Sequence, residues 1–175
     1  NDQLGGAGNV CRNLKSIGAD VTFIGGCASS KVSLANELFS SIDVKFHSLS
    51  CEQDYFLIKE RLVDETQLLR IDSGEFFSHK SSTYKKFEFT ISKIISSFDV
   101  VVLSDYAKGF IDRKMVEIVI KHSRLNYIPI VCDPKSKDLS VYTGVDYLTP
   151  NKREITESTS FVSFDHDGLK QIRKD

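Results

Sequence analysis

Three short runs constrain this chain most: "VVVLSDYAKG", "IPIVCDPK" and "DYLTPNKRE" each pass from apolar sequence directly into a polar cluster. An unbroken apolar run suits a strand covered on both faces, because a strand with one wet face alternates apolar and polar residues. Helices separate the strands. Ahead of the first run, Phe87, Ile91, Ile94, Ile95 and Phe98 line one side of a helix. After it, Asp112 can N-cap another that carries Met115, Ile118, Val119 and His122. Such alternation predicts an α/β fold with a mostly parallel sheet, and ligands of these sheets bind in the crevice beyond the carboxyl ends of the strands. The three polar clusters are expected to converge there.

The N-terminal part has the same rhythm. In "LGGAGNV" three glycines and Asn9 open an amphipathic run from Ala7 to Ile17, in which Ala7, Val10, Cys11, Leu14 and Ile17 recur at helical spacing. Gly18 is the expected stop. "VTFIGG" reads as a strand and "KVSLANELFSSI" as a second helix. The middle differs: "VKFHSLSC", "DYFLIKERLV" and "TQLLRID" are strand-like, the last two separated by "DET", and together they suggest an antiparallel hairpin layer. Charged residues interrupt its pattern, so one face is expected to meet solvent or a ligand, as a lid would.

Composition bounds the function. The chain has 175 residues, 41% of them hydrophobic, which fits one globular domain over residues 1–175. Lys and Arg number 23 against 24 Asp and Glu, and a net charge of -1 gives no footprint for nucleic acid or an anionic membrane. The four cysteines form no C-x-x-C pair and no His completes a zinc set, so they read as reduced thiols in a cytoplasmic protein. No apolar run could span a bilayer, and no charged-then-apolar leader begins the chain. The glycine loop has no strand before it, and "DGLKQIRKD" reads as a helix without a capping glycine. A fragment lacking both ends is therefore expected.

Candidate site residues each carry two readings. Gly6-x-Gly8-x-x-Cys11 lacks the third glycine, the preceding strand and the downstream acid of a dinucleotide fingerprint. "GGCASSK" lacks the glycine and the hydroxyl residue that flank a P-loop lysine. What remains of the glycine loop is either a set of backbone donors that, with the Asn9 amide, hold hydroxyls, or a packing turn. Lys59 and Arg61 share one strand face, as do Arg70 and Asp72, and could clamp a phosphate or form cross-strand ion pairs. Asp105 with Lys108, and Asp133 with Pro134 and Lys135, follow two of the strands. Singly such an Asp is a turn former; paired, the clusters suit Mg²⁺ and phosphate charge. In "NKRE", Asn151 and Glu154 can form a capping box, or Glu154 can organise water around a magnesium ion.

Taken in order, "GGAGNVCRNLKSIGA", "QLLRID", "VVLSDYAKG" and "VCDPKSKDLSVYTGVDYLTPNKRE" resemble the ribokinase-like (PfkB) sugar kinases over nearly the whole chain. The similarity is greatest to the D-glycero-β-D-manno-heptose 7-phosphate kinase branch, which occurs alone or as the kinase half of bifunctional heptose kinase/adenylyltransferases. The resemblance implies a three-layer α/β sandwich with a β lid over residues 44–73, and phosphoryl transfer from ATP, with Mg²⁺, to a sugar phosphate. It assigns Gly5, Gly6 and Asn9 to sugar hydroxyls, Lys59, Arg61 and Arg70 to the substrate phosphate, and Lys108 to the active cleft. Asp133, Lys135, Asn151, Lys152, Arg153 and Glu154 are assigned to the nucleotide, with Glu154 reaching the metal through water. The family's base is an Asp in a late Gly-Ala-Gly-Asp loop that this sequence does not contain, so it is expected beyond Asp175 and the fragment alone is expected to be inactive. A homodimer through the lid is also expected.

Overall fold

The computed structural model describes residues 2–51, 58–64, 66–74 and 77–158, with positions 50, 51, 58, 61–63, 66–68, 70 and 72 described by their backbone. The chain forms two compact units: Asn1–Phe87 with Lys108–Phe110, and Glu88–Ala107 with Ile111–Asp175.

The first unit contains α1 (Gly6–Ser16), β1 (Thr22–Ala28), a 3₁₀ turn (Ser29–Lys31), α2 (Val32–Ser40) and β2 (Lys45–Cys51). β1 and β2 pair in parallel, from Thr22 opposite Lys45 to Ala28 opposite Cys51. Their core draws Cys11 from α1 and Phe39 from α2 onto Phe23 and Phe46, with Phe39 4.8 Å from each of those two rings. Burial of these aromatics, more than helix propensity, fixes two short helices against a two-stranded sheet. Ile17 departs from the expected helix face: it is 79% exposed, because α1 ends at Ser16 and the helical period no longer applies.

The segment "VKFHSLSC" also departs from expectation. Lys45 and His47 gave it the alternation of a half-wet hairpin strand, but β2 pairs in parallel with β1, and Leu49 is 1% exposed. A parallel partner needs a crossover connection, and α2 supplies it. Among the described residues the antiparallel layer is β3 (Ile58–Asp64) and β4 (Thr66–Ser73), with a register irregularity between Leu62 and Val63. Of the expected "DET" turn, Asp64 and Thr66 are paired, while Glu65 and the "DYF" start of the expected strand lie outside the described residues. Residues Lys108–Phe110 complete this unit: the Phe77 N–H donates to the Lys108 carbonyl at 2.8 Å, and the Phe77 and Phe110 rings meet edge to face at 5.2 Å.

The second unit contains the second half of α3 (Ser81–Ile94), a 3₁₀ turn (Ile95–Ser97), β5 (Val101–Ser104), α4 (Arg113–Leu125), β6 (Ile130–Asp133), a 3₁₀ turn (Leu139–Tyr142), β7 (Tyr147–Leu148) and α5 (Lys152–Ser158). The strands pair in parallel in the order β5-β6-β7. Asp112 caps α4 as its sequence suggests, accepting the Met115 N–H at 2.8 Å. At the opposite end of the strands, the Asp146 carboxylate accepts the Ile130 N–H and the Arg124 guanidinium, each at 2.8 Å. Leu103, Ile130 and Cys132 are buried, whereas Val102 is 39% and Tyr147 62% exposed. Burial on both strand faces, expected from the apolar runs, is thus only half met: such a run records what a strand can pack against, not what this chain places there. The final "DGLKQIRKD" helix expected from sequence lies outside the described residues. No described helix is long and apolar enough to cross a membrane.

Gly109 has φ +84°, and a Cβ there would overlap the carbonyl oxygen of Phe77. Gly109→Ala should therefore destabilise the first unit by about 2 kcal/mol or more, read as a fall in the urea midpoint of the full-length protein.

Candidate functional site

Parallel pairing brings the carboxyl ends of β5, β6 and β7 to one rim. Ser104 lies opposite Asp133 and Cys132 opposite Leu148, so the three polar segments leave the sheet as neighbours. The pairing continues past the strands, from the Asp105 N–H to the Asp133 carbonyl at 3.0 Å and from the Thr149 N–H to the Cys132 carbonyl at 2.9 Å. The expected convergence of "SDY", "DPK" and "TPN" is therefore a property of this unit.

Each segment bends by its own chemistry. Asp105, 6% exposed, accepts the Ala107 N–H at 2.8 Å through Oδ1, forming a turn that carries Ala107 into left-handed backbone with φ 50°. Its Oδ2 accepts a hydrogen bond from the buried Tyr142 hydroxyl. Both carboxylate oxygens are thereby used, which leaves Asp105 in the turn-forming role and not aimed at a ligand. Pro134 is buried behind exposed Asp133 and Lys135. In "NKRE" the capping box forms: Glu154 N–H to Asn151 Oδ1 at 3.0 Å, and Asn151 N–H to Glu154 Oε2 at 2.8 Å.

Glu154 also serves a second partner. Its Oε1 accepts the Lys135 ammonium at 2.7 Å, joining the β6 segment to the start of α5. Partial burial alone would raise the Glu154 pKa and is the largest single influence, but the Lys135 ammonium and the Asn151 N–H together hold the carboxyl below its ordinary range. Lys135 is held correspondingly high by its hydrogen bond to Glu154. Asp133 moves the other way: loss of solvent, then the Glu154 carboxylate, push it up against the pull of Lys135. Behind the rim, burial and then the two aspartates push the Cys132 thiol up to about 12, so it is no nucleophile at neutral pH. Cys11 and Cys27 are also buried.

The remaining candidates divide by unit. Asp133, Lys135, Asn151, Lys152, Arg153 and Glu154 all lie in the second unit; Gly5, Gly6, Asn9, Lys59, Arg61, Arg70 and Lys108 all lie in the first. Arg153 is turned along its own helix to Glu157, at 2.5 Å, and Lys152 is exposed. In the glycine loop a Cβ on Gly8 would overlap the Leu4 side chain, a packing constraint, whereas Gly5 has open space and Asn9 is exposed. The hairpin register places Lys59 opposite Asp72 and Arg61 opposite Arg70, all four positions on one face. Sequence reasoning missed Tyr142, whose hydroxyl meets Asp105 and the β6 segment. A tyrosine in a polar stretch carries no signal of burial.

A family model described as "pfkB family carbohydrate kinase" matches residues 1–174. Among curated relatives, the "Bifunctional protein HldE" of Aliarcobacter butzleri (strain RM4018) is 34% identical over 177 residues, covering 98% of this chain and 37% of its own length. The protein of the same name from Campylobacter jejuni (strain RM1221) is 34% identical over 178 residues, with 99% and 37% covered. The chain thus spans little more than a third of these relatives. Among solved structures, phosphofructokinase-2 from Escherichia coli in complex with potassium superposes with a TM-score of 0.73 at 13% identity, over 97% of this chain and 56% of the other. A carbohydrate kinase from Agrobacterium tumefaciens gives 0.68 at 16%, over 98% and 56%. At such identities these two establish a shared ribokinase-like fold, here incomplete. From the family match over almost every residue, the chain belongs to the pfkB family of carbohydrate kinases.

Proposed function

We propose that the protein carrying this chain transfers the γ-phosphoryl group of ATP to D-glycero-β-D-manno-heptose 7-phosphate, at its anomeric hydroxyl, for ADP-heptose and lipopolysaccharide core synthesis. The observation that carries the kinase reading is the shared rim, where the Lys135 ammonium, the Glu154 carboxylate and the start of α5 are joined by hydrogen bonds and the Asp133 carboxylate feels their charge. Phosphoryl transfer asks a protein chiefly for positioning and electrostatic stabilisation, and such a rim offers both. The heptose assignment rests on the resemblance of the motifs and on relatives one-third identical along the chain.

In this reading Asp133, Lys135, Asn151, Lys152, Arg153 and Glu154 hold the nucleotide; Gly5, Gly6 and Asn9 take sugar hydroxyls; Lys59, Arg61 and Arg70 take the substrate phosphate; and Lys108 lines the cleft. A magnesium ion fits the rim's electrostatics, because loss of solvent and then the Glu154 carboxylate keep the Asp133 pKa raised even beside Lys135. No three His, Cys, Asp or Glu side chains among the described residues are grouped to ligate a metal directly, so Glu154 would act through water. When bound, the ion offsets charge on the phosphates. The proton acceptor is assigned outside this chain, since Asp105 has both oxygens engaged. The chain alone is accordingly inactive, the full-length protein is cytoplasmic, and the β3–β4 lid joins two copies.

A panel of sugars and sugar phosphates tests the substrate. The full-length protein should phosphorylate the heptose 7-phosphate with kcat/KM at least about tenfold above any other acceptor, and residues 1–175 alone should give no turnover. Preference for another sugar or a nucleoside would overturn the heptose assignment, and sugar binding without ATP turnover would overturn the kinase. Sedimentation as a monomer would overturn the dimer. Glu154→Gln should lower kcat/KM for ATP by roughly 10–100-fold.

Asp133 gives a second prediction, with a definite sign. Its folded pKa lies above the unfolded value near 3.8, so ionised Asp133 opposes folding at neutral pH and ceases to do so once both states are protonated. Asp133→Asn should therefore raise Tm slightly at pH 7, lose that gain by about pH 3.8, and lower activity. A fall in Tm at pH 7 would contradict it.

A further inference from the structure

We propose that Tyr142 is a positioning residue for the nucleotide side of the site: its buried hydroxyl fixes the Lys135–Ser136 backbone so that the Lys135 ammonium is presented to Glu154 and to bound phosphate. The proposal rests on the kinase reading for its consequence, though not for its geometry. Tyr142 ends the 3₁₀ turn between β6 and β7 and is 1% exposed. A phenol hydroxyl offers one donor and two acceptor sites, and a buried one must find partners. Here all three are used. It donates to Asp105 Oδ2 and accepts the Lys135 N–H at 3.2 Å and the Ser136 N–H at 3.0 Å.

The chain of contacts runs through all three strand ends. Asp105, after β5, is itself fixed by the Ala107 N–H at 2.8 Å; the Tyr142 hydroxyl bridges it to the segment after β6; and Lys135 reaches Glu154, after β7, at 2.7 Å. The ring alone would fill the interior, so packing does not require the oxygen. Its position is explained by the two N–H groups it receives and the carboxylate it satisfies. Burial, and then the hydrogen bond to Asp105, raise the phenol's pKa, so it remains a donor throughout the neutral range.

Tyr142→Phe keeps the ring and removes the tie. In the full-length protein, amide exchange in the peptide spanning residues 133–138 should accelerate about tenfold, with KM for ATP rising about tenfold and KM for the sugar phosphate changing less than about twofold. Unchanged exchange, or KM values for both substrates moving together, would overturn the proposal, the latter because a general loss of structure spares neither. Asp105→Asn leaves the phenol but weakens its acceptor, and should raise exchange in the same peptide; the double variant should raise KM for ATP no further than Tyr142→Phe. Should Tyr142→Phe fail to fold, unchanged exchange in Asp105→Asn is decisive against the tie. If the wild-type protein phosphorylates no sugar, the kinase reading fails by itself. Calorimetry with ADP then decides the present proposal: affinity about tenfold weaker in Tyr142→Phe supports it, and equal affinity overturns it.

Discussion

Parallel pairing of β5, β6 and β7 is the constraint on which the second unit depends. In an antiparallel arrangement the "SDY", "DPK" and "TPN" segments would leave the sheet at alternate ends, and their charges would never meet. In parallel they leave as neighbours, and the backbone bonds of Asp105 and Thr149 carry the ladder one residue beyond the strands. The same geometry sends the opposite ends of the strands to a different chemistry, where Asp146 closes the sheet with Arg124 and the Ile130 N–H. One end is a structural lock; the other gathers side chains that are still exposed.

Charge at that rim is unequal by design of the neighbours. Glu154 is doubly satisfied, by Lys135 and by the N–H of Asn151, and ionises easily. Asp133 sits within the field of that same carboxylate and pays a penalty for ionising. The capping box and the Lys135 ion pair do not compete for Glu154. The cap fixes where Glu154 stands, and Lys135 uses what the cap leaves over.

In the glycine loop Gly8 is required by contact with Leu4, whereas Gly5 lies in open space at the start of α1. Packing thus accounts for one glycine of the motif and places no demand on the other. In the hairpin, the register sets Lys59 opposite Asp72 and Arg61 opposite Arg70.

Local sequence determined the elements whose signals are local: α1 with its stop near Gly18, α4 with its Asp112 cap, the strand character of the three apolar runs and the capping box of Asn151 and Glu154. Each depends on residues within one turn or one strand of each other, so periodicity and cap chemistry suffice. Pairing partners were not local. β2 carried the alternation of a hairpin strand and became the parallel partner of β1, because a connecting helix and a shared aromatic core outweigh the polarity of Lys45 and His47. Tyr142 was equally illegible: its neighbours in sequence are polar, and only the packing of its 3₁₀ turn beneath the rim sets its hydroxyl between Asp105 and the Lys135 amide. Residue identity chose which groups can bond; the tertiary structure chose which of them lie within reach, since hydrogen bonds act over about 3 Å and sequence carries no distance between residues far apart along the chain.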